Sequence, residues 1–310
     1  MSVPLEGTID SSLLYVVTAR HCIDNAQKYG QVYIRVNRKK GKFLEFPTRA
    51  EDWLLHDNAD VAAIPVLRNA SPVGVEPTDL DFGSLGLSSF VGNGPDYKVV
   101  AETNWGPKEI QPRVGHQVYS LGLFTEHYGA ERNLPIAKFG HISRMPDNVE
   151  LKIGDIRFSV VAYLVEFHSL GGHSGSPVFF LYPLVTEDQI RLPVEAGRGG
   201  EQKNVLVSVN LAWISGFMGL ISAHYDIEKE AKKTGNSIEV ELNSGIAVVT
   251  PAEAVSQLLM REDLVDYRKN LARNMESKRR MPTLDVVESA SFTKHDFERA
   301  LKKVSRKTKK

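Results

Sequence analysis

The sequence predicts an all-β protein with a helical C-terminal extension. Short apolar runs rich in β-branched and aromatic residues recur before residue 250, each bounded by Gly, Pro, Asn, Asp or Ser. This pattern is typical of β-strands joined by turns. The apolar residues of 251–260 follow a helical period, and a charged segment comes after them, which predicts helices at the C-terminal end.

The composition is that of an ordinary globular protein. Of the 310 residues, 42% are hydrophobic and 25% are charged, and the formal net charge is zero, so no overall field favours nucleic acid or a membrane. No apolar run is long enough to span a bilayer, and the start lacks a signal-peptide pattern. The single cysteine, Cys22, excludes an intramolecular disulfide. It predicts a cytoplasmic setting, or a periplasmic or secreted one if the natural start lies upstream.

Several elements can be placed in the N-terminal part of the chain. Residues 13–18 predict a strand, and 22–29 predict one or two helical turns. Alternation at 31–36 predicts a strand that forms a hairpin with 43–46. From 69 to 96, Pro, Gly, Ser and Asp dominate, which predicts a linker or a long loop.

A second set of strands is predicted after residue 96, at 96–102, 117–122, 137–142, 158–167, 205–213, 217–224 and 243–249. The mixed, polar segment 181–204 predicts an inserted loop rather than part of the core. Residues 251–260 predict a helix, and 261–280 predict a charged amphipathic helix that Pro282 ends.

One stretch, 171–177, has the composition expected around a catalytic serine. Its sequence, Gly-Gly-His-Ser-Gly-Ser-Pro, places Ser174 between glycines just before an apolar run. Glycine permits positive φ angles and lets a substrate carbonyl approach the main chain. The N–H groups of Gly172 and Ser174 would then hold an oxyanion. Alone, the stretch is equally typical of a Gly/Ser loop between two strands.

Two further stretches supply a base and a carboxylate. The run Tyr-Val-Val-Thr-Ala-Arg-His-Cys brings His21 to the end of a predicted strand, and Asp60 directly precedes the apolar run 61–66. With Ser174 they give the chain order His, Asp, Ser, which one class of serine hydrolases uses. His21 would accept the proton of Ser174 Oγ, and Asp60 would orient the imidazole.

Other interpretations of these residue types are disfavoured. Asp52 and Asp57 are rivals of Asp60, but neither directly precedes an apolar strand, and His56 lacks the apolar run that leads to His21. A catalytic Cys22 is disfavoured because a buried structural thiol is the usual case. Nine histidines permit a metal site, but no His-Glu-x-x-His or Cys-x-x-Cys spacing is present, so we expect neither a metal nor a cofactor.

Three motifs, taken in this order, resemble those of trypsin-like serine proteases. Val-Val-Thr-Ala-Arg-His-Cys at 16–22 resembles the segment with their catalytic histidine, and Asp-Val-Ala-Ala-Ile-Pro-Val at 60–66 resembles the segment with their aspartate. Gly-His-Ser-Gly-Ser-Pro at 172–177 resembles the segment with their nucleophile. The match is nearer to the bacterial high-temperature-requirement type than to digestive enzymes, and it covers roughly residues 10–260.

The resemblance implies a chymotrypsin-like fold of two six-stranded-type β-barrels. Residues 1–90 would form the barrel with the His and Asp of the triad, and 91–260 would form the barrel with the Ser, ending in a helix. The family places two strands before the histidine segment, but only fourteen residues precede Tyr15. The N-terminal barrel is therefore expected to be incomplete, or the given start to lie inside a longer chain.

The resemblance also assigns roles around the triad of His21, Asp60 and Ser174. His168 would form the floor of the primary pocket, Gly245 would line that pocket, and Ser222 would lie on the strand beside the bound peptide. His173 stands where digestive relatives have an aspartate that binds a newly cut N-terminus, so activation by that route is not expected. His168 does not indicate a particular substrate.

The expected function is that of a serine endopeptidase that cleaves a polypeptide substrate through an acyl-enzyme. The alternative is a catalytically inactive peptide- or protein-binding module of the same fold. The basic tail 261–310 carries fifteen Lys or Arg against eight Asp or Glu, and Phe297, Leu301 and Val304 share one helical face. A solvated tail with one docking helix is favoured, and the alternative is an adaptor for a protein partner, an anionic surface or, less favoured, nucleic acid. The sequence gives no positive indication of nucleic-acid binding.

Overall fold

In a computed structural model, the described residues are 1–5, 12–66, 79–91, 99–103, 106–123, 129–153, 156–167, 172–194, 203–233 and 236–280. Within these ranges the chain is mostly β, with fourteen strands and three α-helices. None of the described helices is long and apolar enough to cross a membrane.

The N-terminal elements are β1 (Ser2–Pro4), β2 (Ser12–Thr18), α1 (Arg20–Ala26), β3 (Gln31–Asn37), β4 (Phe43–Arg49), β5 (Leu54–Leu55) and β6 (Ala62–Val66). Four of these strands form an antiparallel sheet in the order β1-β2-β6-β5. Strands β3 and β4 form a separate hairpin, as the alternation predicts. The described N-terminal strands therefore form an open sheet and a hairpin rather than a closed barrel.

The C-terminal elements are β7 (Val99–Thr103), β8 (Gly106–Ile110), β9 (Gln117–Leu123), β10 (Pro135–Ile153), β11 (Ile156–Glu166), β12 (Pro177–Val194), β13 (Lys203–Lys233), β14 (Asn236–Pro251), α2 (Ala252–Leu259) and α3 (Glu262–Arg280). Six strands close a barrel in the order β10-β11-β14-β13-β12-β9, and β7 pairs with β8 in a separate hairpin. The all-β prediction and one six-stranded barrel are therefore confirmed, and α2 and α3 confirm the two helices predicted after residue 250.

One prediction about a loop is wrong in the described residues. The segment 181–204 belongs largely to a long hairpin in which β12 and β13 pair out to Val194 and Lys203. Backbone ladder bonds hold such a hairpin, and a polar composition does not reveal them. The loop predicted at 69–96 is confirmed in its described part, because residues 79–91 hold only the 3-10 turn Leu87–Ser89 and isolated bridges. Its Phe90 and Val91 nevertheless pack into the core, at 5% and 2% exposed. Residues 67–78 and 92–98 lie outside the described ranges.

A shared hydrophobic core joins the open sheet to the barrel and the helices. Its members come from β1, β2 and β6, from the outer side of β12 and β13, and from α2 and α3. A second core fills the barrel itself. Arg268 of α3 is 3% exposed and donates hydrogen bonds to the Leu259 carbonyl at 2.7 Å and to Tyr15 Oη at 3.1 Å. These bonds join α3 to α2 and to the open sheet, and residues 281–310 of the predicted tail lie outside the description.

Candidate active site

Antiparallel pairing of β2 with β6 brings His21 and Asp60 to the same end of the open sheet. Thr18, the last residue of β2, pairs with Ala62, the first residue of β6. His21 follows the end of β2, in the first turn of α1, and Asp60 precedes the start of β6. The apolar runs that form these two strands therefore place the histidine and the aspartate side by side.

Asp60 contacts His21 at two points. Its Oδ2 is 2.7 Å from the ring Nδ1, and its Oδ1 accepts the backbone N–H of His21 at 2.9 Å. Near the N-terminus of a helix this N–H has no acceptor within the helix. The Asp60 carboxylate therefore also accepts one of the unpaired N–H groups at the start of α1. The side chains of His21 and Asp60 are 39% and 23% exposed, which leaves the imidazole accessible from solvent.

Arg20 ties the loop that carries Asp60 to helix α1. Its Nη1 donates to the His56 carbonyl at 2.8 Å, and its Nε donates to Asp24 one turn further along the helix at 3.3 Å. The ring Nδ1 of His56 accepts the N–H groups of Asn58 and Ala59 at 3.1 and 3.0 Å. His56 therefore shapes the loop before Asp60, and this role differs from that of a base.

The surroundings of His21 stabilise its charged form. The hydrogen bond that Asp60 accepts from the ring raises the pKa of His21 to about 10, the contact with the Cys22 thiol adds to this increase, and burial opposes both effects. The resting imidazole is therefore protonated at neutral pH. The ring can accept a proton only as the pH rises toward this value.

Ser174 lies on a tight turn of the kind expected from its glycines. The Ser176 N–H donates to the His173 carbonyl at 3.0 Å, and Gly175 has φ = 81°, which matches a type II turn with Ser174 at its second position. The turn is joined to β13, because the Gly175 N–H donates to the Ile221 carbonyl at 2.8 Å and the Ile221 N–H donates to the Ser176 carbonyl at 3.0 Å.

Two glycines allow this turn to pack closely against its neighbours. A Cβ on Gly175 would lie 2.2 Å from Thr18 Oγ1 and 3.0 Å from the Ala19 nitrogen, so the turn abuts the junction of β2 and α1. A Cβ on Gly122 of β9 would lie 2.5 Å from Ser176 Oγ. The close approach at Gly175 brings the serine segment against the segment that carries His21.

The backbone donors expected for an oxyanion are available. Within the described residues, no acceptor takes up the N–H of Gly172 or of Ser174. Gly172 is exposed and has φ = 88°, a conformation that favours glycine. Gly171 lies outside the described residues.

In the described residues, the segments that carry Ser174 and His21 lie close together, but no hydrogen bond joins the two side chains. Among the hydrogen bonds of the described residues, none joins Ser174 Oγ to His21 Nε2. Instead, Cys22 Sγ lies 3.7 Å from His21 Nε2 and 4.0 Å from the Ser174 carbonyl oxygen. The free thiol of Cys22 thus contacts both the His21 ring and the serine segment.

The predicted substrate-binding residues are placed only in part. Ser222 falls at a β-bulge between Ile221 and Ala223, and its hydroxyl pairs with Thr250 Oγ1. Gly245 is a buried residue of β14 with φ = 77°. His168 lies outside the described residues.

Sequence reasoning missed the close contacts that organise the site. The tight packing of Gly122 and Gly175 and the position of Cys22 beside the ring depend on how three distant segments meet. The adjacency of Cys22 to His21 was visible in the sequence. Its contact with Nε2, however, depends on the helical backbone of α1, which is short and was predicted only as one or two turns.

Among the described residues, no group of three or more His, Cys, Asp or Glu could hold a metal ion. Comparisons with protein-family models, with curated proteins and with solved structures gave no match to this chain.

Proposed function

We propose that this chain is a trypsin-like serine endopeptidase with His21, Asp60 and Ser174 as its triad. The observation that carries the proposal is the two-point contact of Asp60 with His21, at 2.7 and 2.9 Å, beside a serine turn that packs on the same β2–α1 junction. In this proposal the closed barrel corresponds to the C-terminal barrel of the chymotrypsin-like fold. The open N-terminal sheet corresponds to an incomplete N-terminal barrel.

The proposed reaction is acyl transfer. Ser174 Oγ attacks the scissile carbonyl, His21 Nε2 takes the hydroxyl proton, and Asp60 stabilises the resulting imidazolium through Nδ1. The Gly172 and Ser174 N–H groups hold the oxyanion. His21 then protonates the leaving amine, and water hydrolyses the ester by the same steps. For the first proton transfer, Ser174 Oγ must approach Nε2, and the Cys22 thiol must turn away from it.

A reducing compartment forms part of the proposal. Cys22 is a free thiol that lies 3.7 Å from the base, and oxidation there would place a bulky group against Nε2. A cytoplasmic setting keeps such thiols reduced.

Hydrolysis of an unfolded protein tests the proposal. We expect the chain to cleave reduced, alkylated casein, and Ser174→Ala and His21→Ala to lower the rate by at least about 10³-fold. Ser88→Ala, at an exposed serine outside the site, serves as the matched control and should cleave at the parent rate. Equal cleavage by Ser174→Ala would overturn the proposal.

A non-catalytic peptide-binding module is the second candidate. Two observations favour it: the missing hydrogen bond between Ser174 Oγ and His21 Nε2 in the described residues, and the open N-terminal sheet. On this hypothesis the chain and Ser174→Ala bind a fluorescent unfolded peptide with the same Kd, and neither cleaves it. Cleavage that depends on Ser174 would exclude this candidate.

A further inference from the structure

His173, which directly precedes the proposed nucleophile, is buried behind the serine turn. It is 1% exposed, and among the described residues its Nε2 has no hydrogen-bond partner. Its Nδ1 lies only 2.7 Å from the point where a Cβ on Gly122 would be, so the ring packs directly on β9. Its carbonyl accepts the Ser176 N–H that closes the turn. The ring therefore lies between the turn and the barrel wall.

Within the part of the chain that the structure describes, the groups that act on this ring are neutral or positively charged. Ser120 lies two residues before Gly122 on the same face of β9 and is 2% exposed. No described residue pairs with its Oγ. Lys138 of β10 pairs directly with Ser120, so its side chain points to that face. His224 of β13 is close enough for its charge to act on His173. Among the groups that shift the titration of His173 in the described residues there is no carboxylate.

Such a site fits a neutral imidazole and disfavours a charged one. A buried charge without a partner is costly, and burial together with the positive charges of Lys138 and His224 lowers the pKa of His173. A protonated ring would need two acceptors where the described structure gives Nε2 none. To take up a proton, the ring has to leave its place, and the turn that it supports has to open.

We propose that His173 is a positioning residue whose neutral ring holds the Ser174 turn against β9, and whose protonation in acid opens the turn. The consequence for reactivity rests on the proposed function of Ser174, but the opening of the turn does not. Because the folded state binds this proton less readily than the unfolded chain, the stability contributed by His173 is lost as the pH falls below about 6.5. His21 behaves in the opposite way, since its raised pKa preserves its contribution at low pH.

Amide hydrogen exchange of the serine turn tests the proposal without any catalytic readout. We expect the Gly175 and Ser176 N–H groups, corrected for intrinsic exchange, to lose at least about tenfold in protection between about pH 7 and pH 5. His173→Asn, with a side chain that does not titrate, should lose none. His173→Gln is the second variant, in case the shorter amide disturbs folding.

His116→Asn is the matched control. The pKa of His116 is also lowered, by burial and then by Arg113, but its ring packs against Phe180 and Tyr182 rather than against the serine turn. In this variant, the Gly175 and Ser176 N–H groups should lose as much exchange protection between about pH 7 and pH 5 as they do in the parent. Equal protection of the parent at both pH values, or acid opening that persists in both His173 variants, would overturn the proposal.

A fluorophosphonate reactivity profile, measured on the same samples, separates the two claims. If the turn opens in acid only when His173 is present and no serine reacts at any pH, the positioning role stands and the proposed function fails. If Ser174 reacts and the turn stays closed in acid, the proposed function stands and the positioning role fails.

Discussion

Asp60 controls the protonation state of His21. Its hydrogen bond to Nδ1 is the largest cause of a His21 pKa of about 10, and each unit of such a shift corresponds to a tenfold change in the equilibrium. The contribution to stability is fully present below about pH 6.5 and is lost as the pH rises toward about 10. In the proposed mechanism catalysis needs the neutral ring, so the contact that stabilises the fold would also place activity in the alkaline range.

A pH profile of serine reactivity tests this coupling. In the parent chain, the rate of fluorophosphonate labelling should rise from neutral pH toward about pH 10. Asp60→Asn should move the apparent pKa down toward about 6.5. It should also lower the maximal rate, because an amide favours the wrong tautomer of His21. An Asp60→Asn profile that superimposes on that of the parent would contradict this account of His21.

Gly175 is the residue on which contact between the two halves of the site depends. It has φ = 81°, and a Cβ there would lie 2.2 Å from Thr18 Oγ1. Replacing Gly175 by alanine therefore adds backbone strain and a steric clash at the β2–α1 junction. The turn would have to move away from His21.

Gly175→Ala should therefore lower casein cleavage by about 10²-fold, the size of effect expected when a reacting group is misplaced by about 1 Å. Gly41→Ala is the matched control, because Gly41 has φ = 92° but nothing within 4 Å of an added Cβ. It should lose a little stability and keep its cleavage rate, as measured by thermal unfolding and by the casein assay. Equal rates for the two variants would show that the collision is unimportant.

At the scale of elements, the β3–β4 hairpin is hydrogen-bonded to the segment that precedes β10. Asn37 Nδ2 donates to the Asn133 carbonyl at 3.0 Å, and Asn37 Oδ1 accepts the Asn133 N–H at 2.7 Å. Arg35 Nη2 donates to the Gly129 carbonyl at 2.8 Å. These bonds join N-terminal strands to the barrel at a place distinct from the shared hydrophobic core.

Asn37→Ala removes both side-chain bonds to Asn133 and should lower the free energy of unfolding by about 1–3 kcal/mol. Urea denaturation measures this. Asn148→Ala, at an exposed position of β10, is the control and should change the free energy by less than about 0.5 kcal/mol. If the two variants had the same free energy of unfolding, the bonds between Asn37 and Asn133 would contribute nothing to stability.

The elements differ in how far the sequence predicts them. The β3–β4 hairpin and helix α2 follow from local periodicity, since alternation and a 3.6-residue repeat are visible within a single segment. Strand β1 and the β12–β13 hairpin were not predicted. Strand β1 is three residues long and depends on its pairing with β2. The outer part of the β12–β13 hairpin has a polar composition that does not identify the strand partner.

At the scale of the whole molecule, the site lies where the open sheet meets the barrel. His21 and Asp60 come from the sheet, and Ser174 comes from the turn that enters β12. The core shared by the sheet, the barrel and the two C-terminal helices sets the relative position of these parts. Arg268 adds buried hydrogen bonds between α3, α2 and Tyr15. The C-terminal helices therefore help to position the site.

The candidate triad could be predicted from the sequence because each member lies in a short segment with its own local pattern. The pairing of β2 with β6 then brings His21 to Asp60. The apolar runs indicate two strands, but they do not show that these strands pair. The contact of Cys22 with Nε2 and the close approach at Gly175 could not be predicted. Both depend on the packing of α1, β2 and the serine turn, which are far apart in the chain.

Labelling of the folded chain with a fluorophosphonate, followed by peptide mapping, tests the central claim most directly. The account predicts one adduct per chain, on the peptide that contains Ser174, with a rate that increases toward alkaline pH and no adduct in Ser174→Ala. A folded chain that remains unlabelled across this pH range, or one labelled equally in Ser174→Ala, would contradict it.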